Sequence, residues 1–445
     1  MNKTASILSA LLVLAQTGLA LDTSSGLLAK PSWLTDASIT LKEGYDDNVL
    51  MSGVNQANVP PGTMTLKDRG SFVTTVSPKL GFNFATLVNS NSGLDLLSFV
   101  YAPDFVRYEA LPAENYDAHR TLMGVKGNSG DFSYNFDNAL WFVDGNQIAP
   151  AYPGGLYNAW ASIYAYQRVK QVQDRTKIAL QYDLNHWFIR PGTSLAYYGM
   201  MSEIKNPELA STPSGYQNYA PRYDVNGGMD VGYKLTDQTA ATFGYRYGHT
   251  GQEQYEFSPY SSSSDYQRIL AGFEGKPLNW LDVQLLGGPD FRDYQSDSAT
   301  HITPVNDLHP LTYYGEANIA ATLAKADALV FKYKQYQFVS CGGKIPYFDS
   351  SYGLTYHRKI TGALSLDAGA KLLEADYNMG SLSACRRNDL DYIATAGLHY
   401  AFNAHVSTDL AYQGDFGRND EDYIVNSSTR AFDRNLVSLG VQFGF

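Results

Sequence analysis

The sequence predicts an all-β fold, a transmembrane antiparallel up-and-down β-barrel of about eighteen strands, with sixteen as the alternative count. Three observations lead there: period-two alternation in segments of ten to fourteen residues, short connections alternating with long ones, and a chain rich in aromatics yet poor in charge. Of 445 residues, 34 are Tyr, 21 Phe and 5 Trp, so aromatics reach 13% while charged residues hold 17%, well under the usual quarter. Such a composition excludes a disordered chain. Mean hydropathy is -0.27, and no apolar run approaches the roughly eighteen residues that a spanning helix requires. Membrane residence would therefore use strands.

Three regions are expected: residues 1–20 as a signal peptide, 21–36 as a short periplasmic segment, and 37–445 as the barrel. Lys3, the apolar stretch Ile7 to Ala15 and the small residues of Gly18-Leu19-Ala20 match the three parts of a secretory signal cleaved after Ala20. No cysteine follows the apolar stretch, which argues against a lipid anchor.

Within the barrel region the alternation is clear in four segments. Phe72, Val76, Leu80, Phe82 and Phe84 share one parity against Ser71, Thr75, Ser77, Lys79 and Asn83. Phe132, Tyr134, Phe136, Leu140 and Phe142 oppose Ser133, Asn135 and Asp137. Ile178, Leu180, Tyr182 and Leu184 oppose Lys177, Gln181, Asp183 and Asn185, and Val437, Leu439, Val441, Phe443 and Phe445 oppose Ser438, Gly440, Gln442 and Gly444. Strands are expected to start near residues 38, 71, 94, 117, 131, 158, 175, 222, 239, 265, 281, 311, 327, 347, 363, 389, 405 and 434. Tight turns fall at Asn128-Ser129-Gly130, Thr236-Asp237-Gln238 and Ile360-Thr361-Gly362, whereas Arg190 to Pro221 reads as the longest loop. Apolar parity facing lipid demands closure, because unpaired backbone groups in hydrocarbon cost several kcal/mol each. A soluble β-sandwich or β-helix would also alternate, but the segments exceed the five or six residues typical of soluble strands. Aromatics such as Trp160, Tyr164, Tyr166, Tyr245 and Tyr247 recur where interfacial girdles need them.

The terminal strand Leu436 to Phe445, ending on an aromatic, resembles the signal read by the outer-membrane barrel-assembly machinery, with Phe445 as its key residue. The stretch Ser38-Ile39-Thr40-Leu41-Lys42-Glu43-Gly44-Tyr45-Asp46-Asp47-Asn48-Val49 resembles the opening of the beta-barrel porin 2 family. Phe188-Ile189-Arg190-Pro191, Arg222 to Leu235 and Phe243-Gly244-Tyr245-Arg246-Tyr247-Gly248 follow in the order of that family. The resemblance implies a channel-like barrel of the bacterial outer membrane, some of whose relatives serve exopolysaccharide production or export. It carries no catalytic residue.

If the apolar parity faces lipid, Lys177, Asp183, Arg246, Lys332, Lys334 and Lys371 project into the lumen. There they either line a selective constriction or pair with acids such as Asp282, Asp290 and Asp409 and fill the space. Aromatics on the apolar parity belong to girdles, although an inward file of them could stack on sugar rings. Asp46-Asp47-Asn48 reads as a solvated turn, with a calcium site as the sharper alternative. Cys341 and Cys385 are placed at the long-loop rim of an exported chain, where they form a disulfide or remain two free thiols. The eight histidines show no metal-binding spacing. No nucleophile elbow, Walker motif, dinucleotide fingerprint or zinc module occurs, so no enzyme and no cofactor is expected.

The net charge of -11 and pI near 5.2 argue against a nucleic-acid partner. Lipid, lipopolysaccharide and the assembly machinery are the expected envelope partners. The expected role is passive passage of small hydrophilic solutes, saccharides among them. The alternative is a closed surface barrel that serves adhesion or envelope assembly through its loops.

Overall fold

The computed structural model describes residues 31–49, 51, 70–88, 93–146, 169–201, 221–252, 263–294, 309–324, 326–339, 346–376, 387–421 and 432–444. Eighteen strands run in chain order: β1 Leu34–Asp46, β2 Ser71–Asn83, β3 Leu94–Tyr108, β4 Tyr116–Ser129, β5 Phe132–Asn146, β6 Val169–Leu184, β7 Trp187–Met201, β8 Arg222–Thr236 and β9 Thr239–Gln252. They continue with β10 Ser264–Leu278, β11 Leu281–Tyr294, β12 Leu311–Ala324, β13 Asp327–Val339, β14 Pro346–Lys359, β15 Leu364–Asp376, β16 Arg387–Ala401, β17 Val406–Glu421 and β18 Phe432–Gly444. Every strand pairs antiparallel with its chain neighbours, and β1 pairs with β18, so the sheet has no edge. Two-residue turns join β4 to β5, β6 to β7, β8 to β9 and β10 to β11 at one rim, while the opposite rim carries connections as long as residues 47–70. Gly130 and Asn185 adopt left-handed backbone in two of these turns, with φ of 63° and 54°, as tight hairpins require.

This closed ring with short turns at one rim is the architecture of a bacterial outer-membrane barrel, and the short-turn rim faces the periplasm. Its outer face carries large apolar side chains that a soluble protein would bury, among them Phe72, Phe243, Tyr313 and Leu323. Aromatic pairs mark both borders of that band. Trp187 meets Tyr233 edge-on at 4.8 Å and Tyr400 meets Phe402 at 4.9 Å near the periplasmic turns, while Tyr45 and Phe72 lie 5.2 Å apart toward the long-loop rim.

The strand count agrees with the expectation, but two strands differ. The strand expected from residue 158, with Trp160, Tyr164 and Tyr166, lies outside the described residues. The segment expected to begin at 175 is β6, which starts at Val169. Residues 187–201, whose larger part falls within the loop expected from Arg190 to Pro221, form β7 instead. Pro191-Gly192 and the adjacent Tyr197-Tyr198 hide the alternation of Trp187, Ile189, Leu195 and Tyr197. The tight turn at Asn185-His186 and pairing with β6 and β8 impose strand geometry regardless. Pro78 of β2 and Pro103 of β3 occupy facing register positions, between the pairs Val76↔Phe105 and Leu80↔Tyr101 where the ladder is interrupted. With no N–H on either proline, neither leaves an orphan donor.

Closure is sealed by side chains at the outer end of the β1–β18 seam. Arg434 of β18 donates to Asp46 of β1 at 2.7 Å and to Asp415 of β17 at 3.0 Å, and Asp46 is fully buried. Asp47 accepts from the Asn435 backbone N–H at 2.6 Å and its side-chain amide at 2.8 Å, and Asn48 Nδ2 donates to the Asp433 carbonyl at 2.8 Å. Asp46-Asp47-Asn48 is thus a latch between the first and last strands. The solvated-turn expectation is corrected: these oxygens are consumed by arginine and backbone donors from β18.

Replacing Arg434 by Met leaves Asp46 and Asp415 buried without their shared cation, a change that costs roughly 3–5 kcal/mol. The Met variant should unfold at a lower denaturant midpoint than the Asp47→Asn variant. Loss of the heat-modifiable gel shift against urea reads this, and equal midpoints would remove the latch from the account.

Candidate functional site

The inward face is identified by contacts that only the inside of the ring permits. Arg190 of β7 forms a bidentate ion pair with Glu274 of β10 although β8 and β9 lie between them. Register carries this face around the sheet through Arg190↔Asp230, Gly228↔Arg246, Asp183↔Phe188, Glu316↔Lys334, Lys332↔Gly353 and Gly353↔Lys371. Lys177, Asp183, Arg246, Lys332, Lys334 and Lys371 all occupy the inward parity.

Their surroundings divide them. Asp183 pairs with Lys234 at 2.8 Å, and Arg246 with Asp230 at 2.8 Å. None of the four lysines makes an ion pair within 4.0 Å among the described residues. Two of the acids considered as their partners are engaged elsewhere: Asp290 with Arg268 at 2.8 Å and Arg292 at 3.2 Å, and Asp409 with His399 at 2.7 Å. Lys334 of β13 faces Glu316 of β12 in register, and Arg175, two residues from Lys177 on β6, bonds Tyr198, which packs against Phe338 of β13, so β6 and the β12–β13 wall meet in one zone of the lumen.

Directly above that zone the lumen is crossed. Pairing of β13 with β12 ends at Gly315↔Gln335, but pairing with β14 continues to Val339↔Pro346, so the top of β13 leaves the wall and enters the interior. Its freed carbonyls are taken by arginines: Arg292 of β11 donates to Gln337 O at 3.1 Å, and Arg222 of β8 donates to Val339 O. The Arg222 guanidinium lies 4.5 Å from the Phe338 ring centroid and 5.2 Å from that of Tyr198 of β7. Tyr198 and Phe338 themselves meet at 5.5 Å, and Arg175 donates to the Tyr198 hydroxyl at 2.8 Å. Lys177 and Lys334 sit two residues below Arg175 and Tyr336, with the Lys334 ammonium 4.8 Å from the Tyr336 ring centroid.

The space cut off between β8 and β13 is filled. Arg268 stacks on Tyr266 at 4.0 Å and on Tyr314 at 4.7 Å, and Arg292 lies 4.7 Å from the Tyr266 ring centroid as well. Asp290 bridges both guanidiniums, and the Tyr266 hydroxyl donates to Asp224 at 2.9 Å. Stacked guanidiniums are held by ring quadrupoles as well as by carboxylates, and low local dielectric strengthens both. The inward aromatics here are roofed by arginine and are not open platforms for sugar rings. Toward the periplasmic rim, by contrast, inward Lys79 is half exposed although it pairs with Asp36.

Parity found the inward lysines but missed the arginine–aromatic ladders. On β10 the inward face bears Tyr266, Arg268 and Leu270, and the outward face begins with Asp265 and Gln267, which reverses the simple rule at the top of the strand. A parity that mixes Tyr, Arg and Leu was the available signal. Cys341, Cys385 and Phe445 lie outside the described residues.

No family model matches the chain, and no curated protein sequence is similar to it. Solved structures with a similar course include the Pseudomonas aeruginosa outer-membrane protein OpdK, at 8% identity over 92% of this chain and 99% of that one, with a TM-score of 0.38. OccK2 (OpdF) of the same organism, solved with glucuronate, gives 10% identity over 92% and 98%, with a TM-score of 0.39. A mutant of the P. aeruginosa ferric enterobactin receptor PfeA gives 7% identity over 92% and 80%, with a TM-score of 0.40. At these TM-scores neither solute nor mechanism transfers.

Cysteine substitution tests the assignment of faces. In proteoliposomes, Lys177→Cys should react with a water-soluble maleimide, whereas Ile178→Cys should be protected by lipid. Comparable labelling at both positions, over the background of the native cysteines, would contradict the parity.

Proposed function

We propose that the barrel is a porin-like channel for passive diffusion of small hydrophilic solutes, saccharides among them. The ring size carries this reading: eighteen strands enclose more space than side chains alone fill. The four lysines without an ion pair among the described residues then act as the selectivity element, because fixed cations in the lumen raise the local concentration of anions. Solutes entering from outside would pass the Arg222–Tyr198–Phe338 crossing before meeting Lys177 and Lys334. The resemblance of residues 38–49 to the beta-barrel porin 2 family suggests polysaccharide export as a physiological setting.

One observation favours a second reading, a closed surface barrel acting through its loops. Contacts from β7 and β8 to β13 span the lumen and close part of its long-loop half.

Liposome swelling with sugars of graded size separates the two. Uptake that falls with sugar size supports the channel, and no swelling at any size supports the closed barrel. In a salt gradient, wild type should show anion preference, and the triple variant Lys332→Gln, Lys334→Gln, Lys371→Gln should lose it several-fold. An unchanged reversal potential would sink the lysine assignment. Arg222→Ala removes the guanidinium that packs on Tyr198 and Phe338 and caps the Val339 carbonyl, and should raise single-channel conductance.

A further inference from the structure

The lumen beside β16 and β17 holds a carboxylate with no hydrogen bond or ion pair among the described residues. Asp391 projects inward from β16, is 5% exposed, and its Oδ1 accepts no hydrogen bond. Its cross-strand neighbours, Leu373 of β15 and Gly417 of β17, offer no donor side chain, and Ile393 is the next inward residue on its own strand. Asp415 is the register partner of Ile393 and lies diagonal to Asp391 on the adjacent strand. Arg434 is already shared between Asp415 and Asp46, so one guanidinium serves two carboxylates and Asp391 is the third. Lys371, the register partner of Ile393 on β15, forms no ion pair with Asp391. A buried carboxylate in this state is unfavourable as the anion unless a cation joins it, and otherwise takes up a proton.

We propose that Asp391, with Asp415 beside it, is a binding position for an organic cation, a guanidinium or primary ammonium on a short alkyl body. Leu373 and Ile393 supply the apolar wall for that body, and the carboxylates supply charge-assisted hydrogen bonds to its N–H groups. A divalent metal fits less well. Calcium requires six or more oxygens, and among the described residues no three His, Cys, Asp or Glu side chains are arranged to hold a metal. The proposal goes beyond the channel reading, because binding requires only that solute reach the lumen and not that it cross.

The test is calorimetric titration of the detergent-solubilised full barrel with n-butylguanidinium chloride, with neutral n-butylurea as the uncharged isostere. Saturable binding of the guanidinium, none of the urea, and at least tenfold weaker binding to Asp391→Asn are expected. Leu373→Lys places an ammonium across from Asp391 and should abolish binding, which keeps the test decisive if Asp391→Asn does not fold by its heat-modifiable gel shift. Lys371→Met removes a competing cation and should tighten binding. Absence of saturable binding to wild type, equal binding of the urea, unchanged affinity in folded Asp391→Asn, or displacement by equimolar calcium at fixed ionic strength would each overturn the proposal. The same preparation in the swelling assay keeps the two readings apart. A barrel that binds without conducting removes the channel alone, and one that conducts without binding removes this site alone.

Discussion

Hydrocarbon offers no partner to a peptide group, and every other feature of this barrel follows from that constraint. Eighteen strands satisfy it only as a ring, which makes the β1–β18 seam the most consequential pairing in the molecule. That seam joins residues almost four hundred positions apart, so its loop-closure entropy is not repaid by local contacts. A buried arginine shared by Asp46 and Asp415, together with the Asp47 and Asn48 bonds, reinforces the ladder where the two ends of the chain meet. The facing prolines Pro78 and Pro103 follow the same logic in reverse, interrupting a ladder at positions that have no N–H to orphan.

Once the outer face is given to lipid, charge has one place to go. The lumen therefore collects both signs, and the strands resolve the crowding in two ways. Between β8 and β13, arginines stack on tyrosines and share Asp290, making a solid polar core on one side of the barrel. Elsewhere the charges keep apart: Lys177, Lys332, Lys334 and Lys371 have no ion pair among the described residues, and the acids of β17 and β1 share Arg434. The departure of β13 from β12 links the two regions. It exposes the Gln337 and Val339 carbonyls, and the arginines that cap them are the ones that bridge the lumen.

Much of this could be read from single strands. Ser71 to Asn83, Phe132 to Val143 and Leu436 to Gly444 alternate strongly enough that strand and face follow from residue parity alone. Where a strand breaks its own pattern, local reading fails. Pro191-Gly192 concealed β7, and the polar residues Asp46-Asp47-Asn48 looked like a turn because their partners, Arg434 and Asn435, lie at the other end of the chain. The mixed Tyr266, Arg268 and Leu270 face of β10 could not be interpreted without knowing that β11 and β13 supply Asp290 and Gln337 around it.

The amino-acid order by itself determined that the chain is a membrane barrel of about eighteen strands and, on strands with regular alternation, which parity faces the interior, because period-two alternation is a property of each strand taken alone. Tertiary structure decided which of those interior charges are spent and which remain. Whether Lys334 or Asp391 has a partner depends on strands far away in sequence that curve toward one another, and on where β13 leaves the wall. That geometry is set by closure of the whole ring, to which no single segment of sequence corresponds.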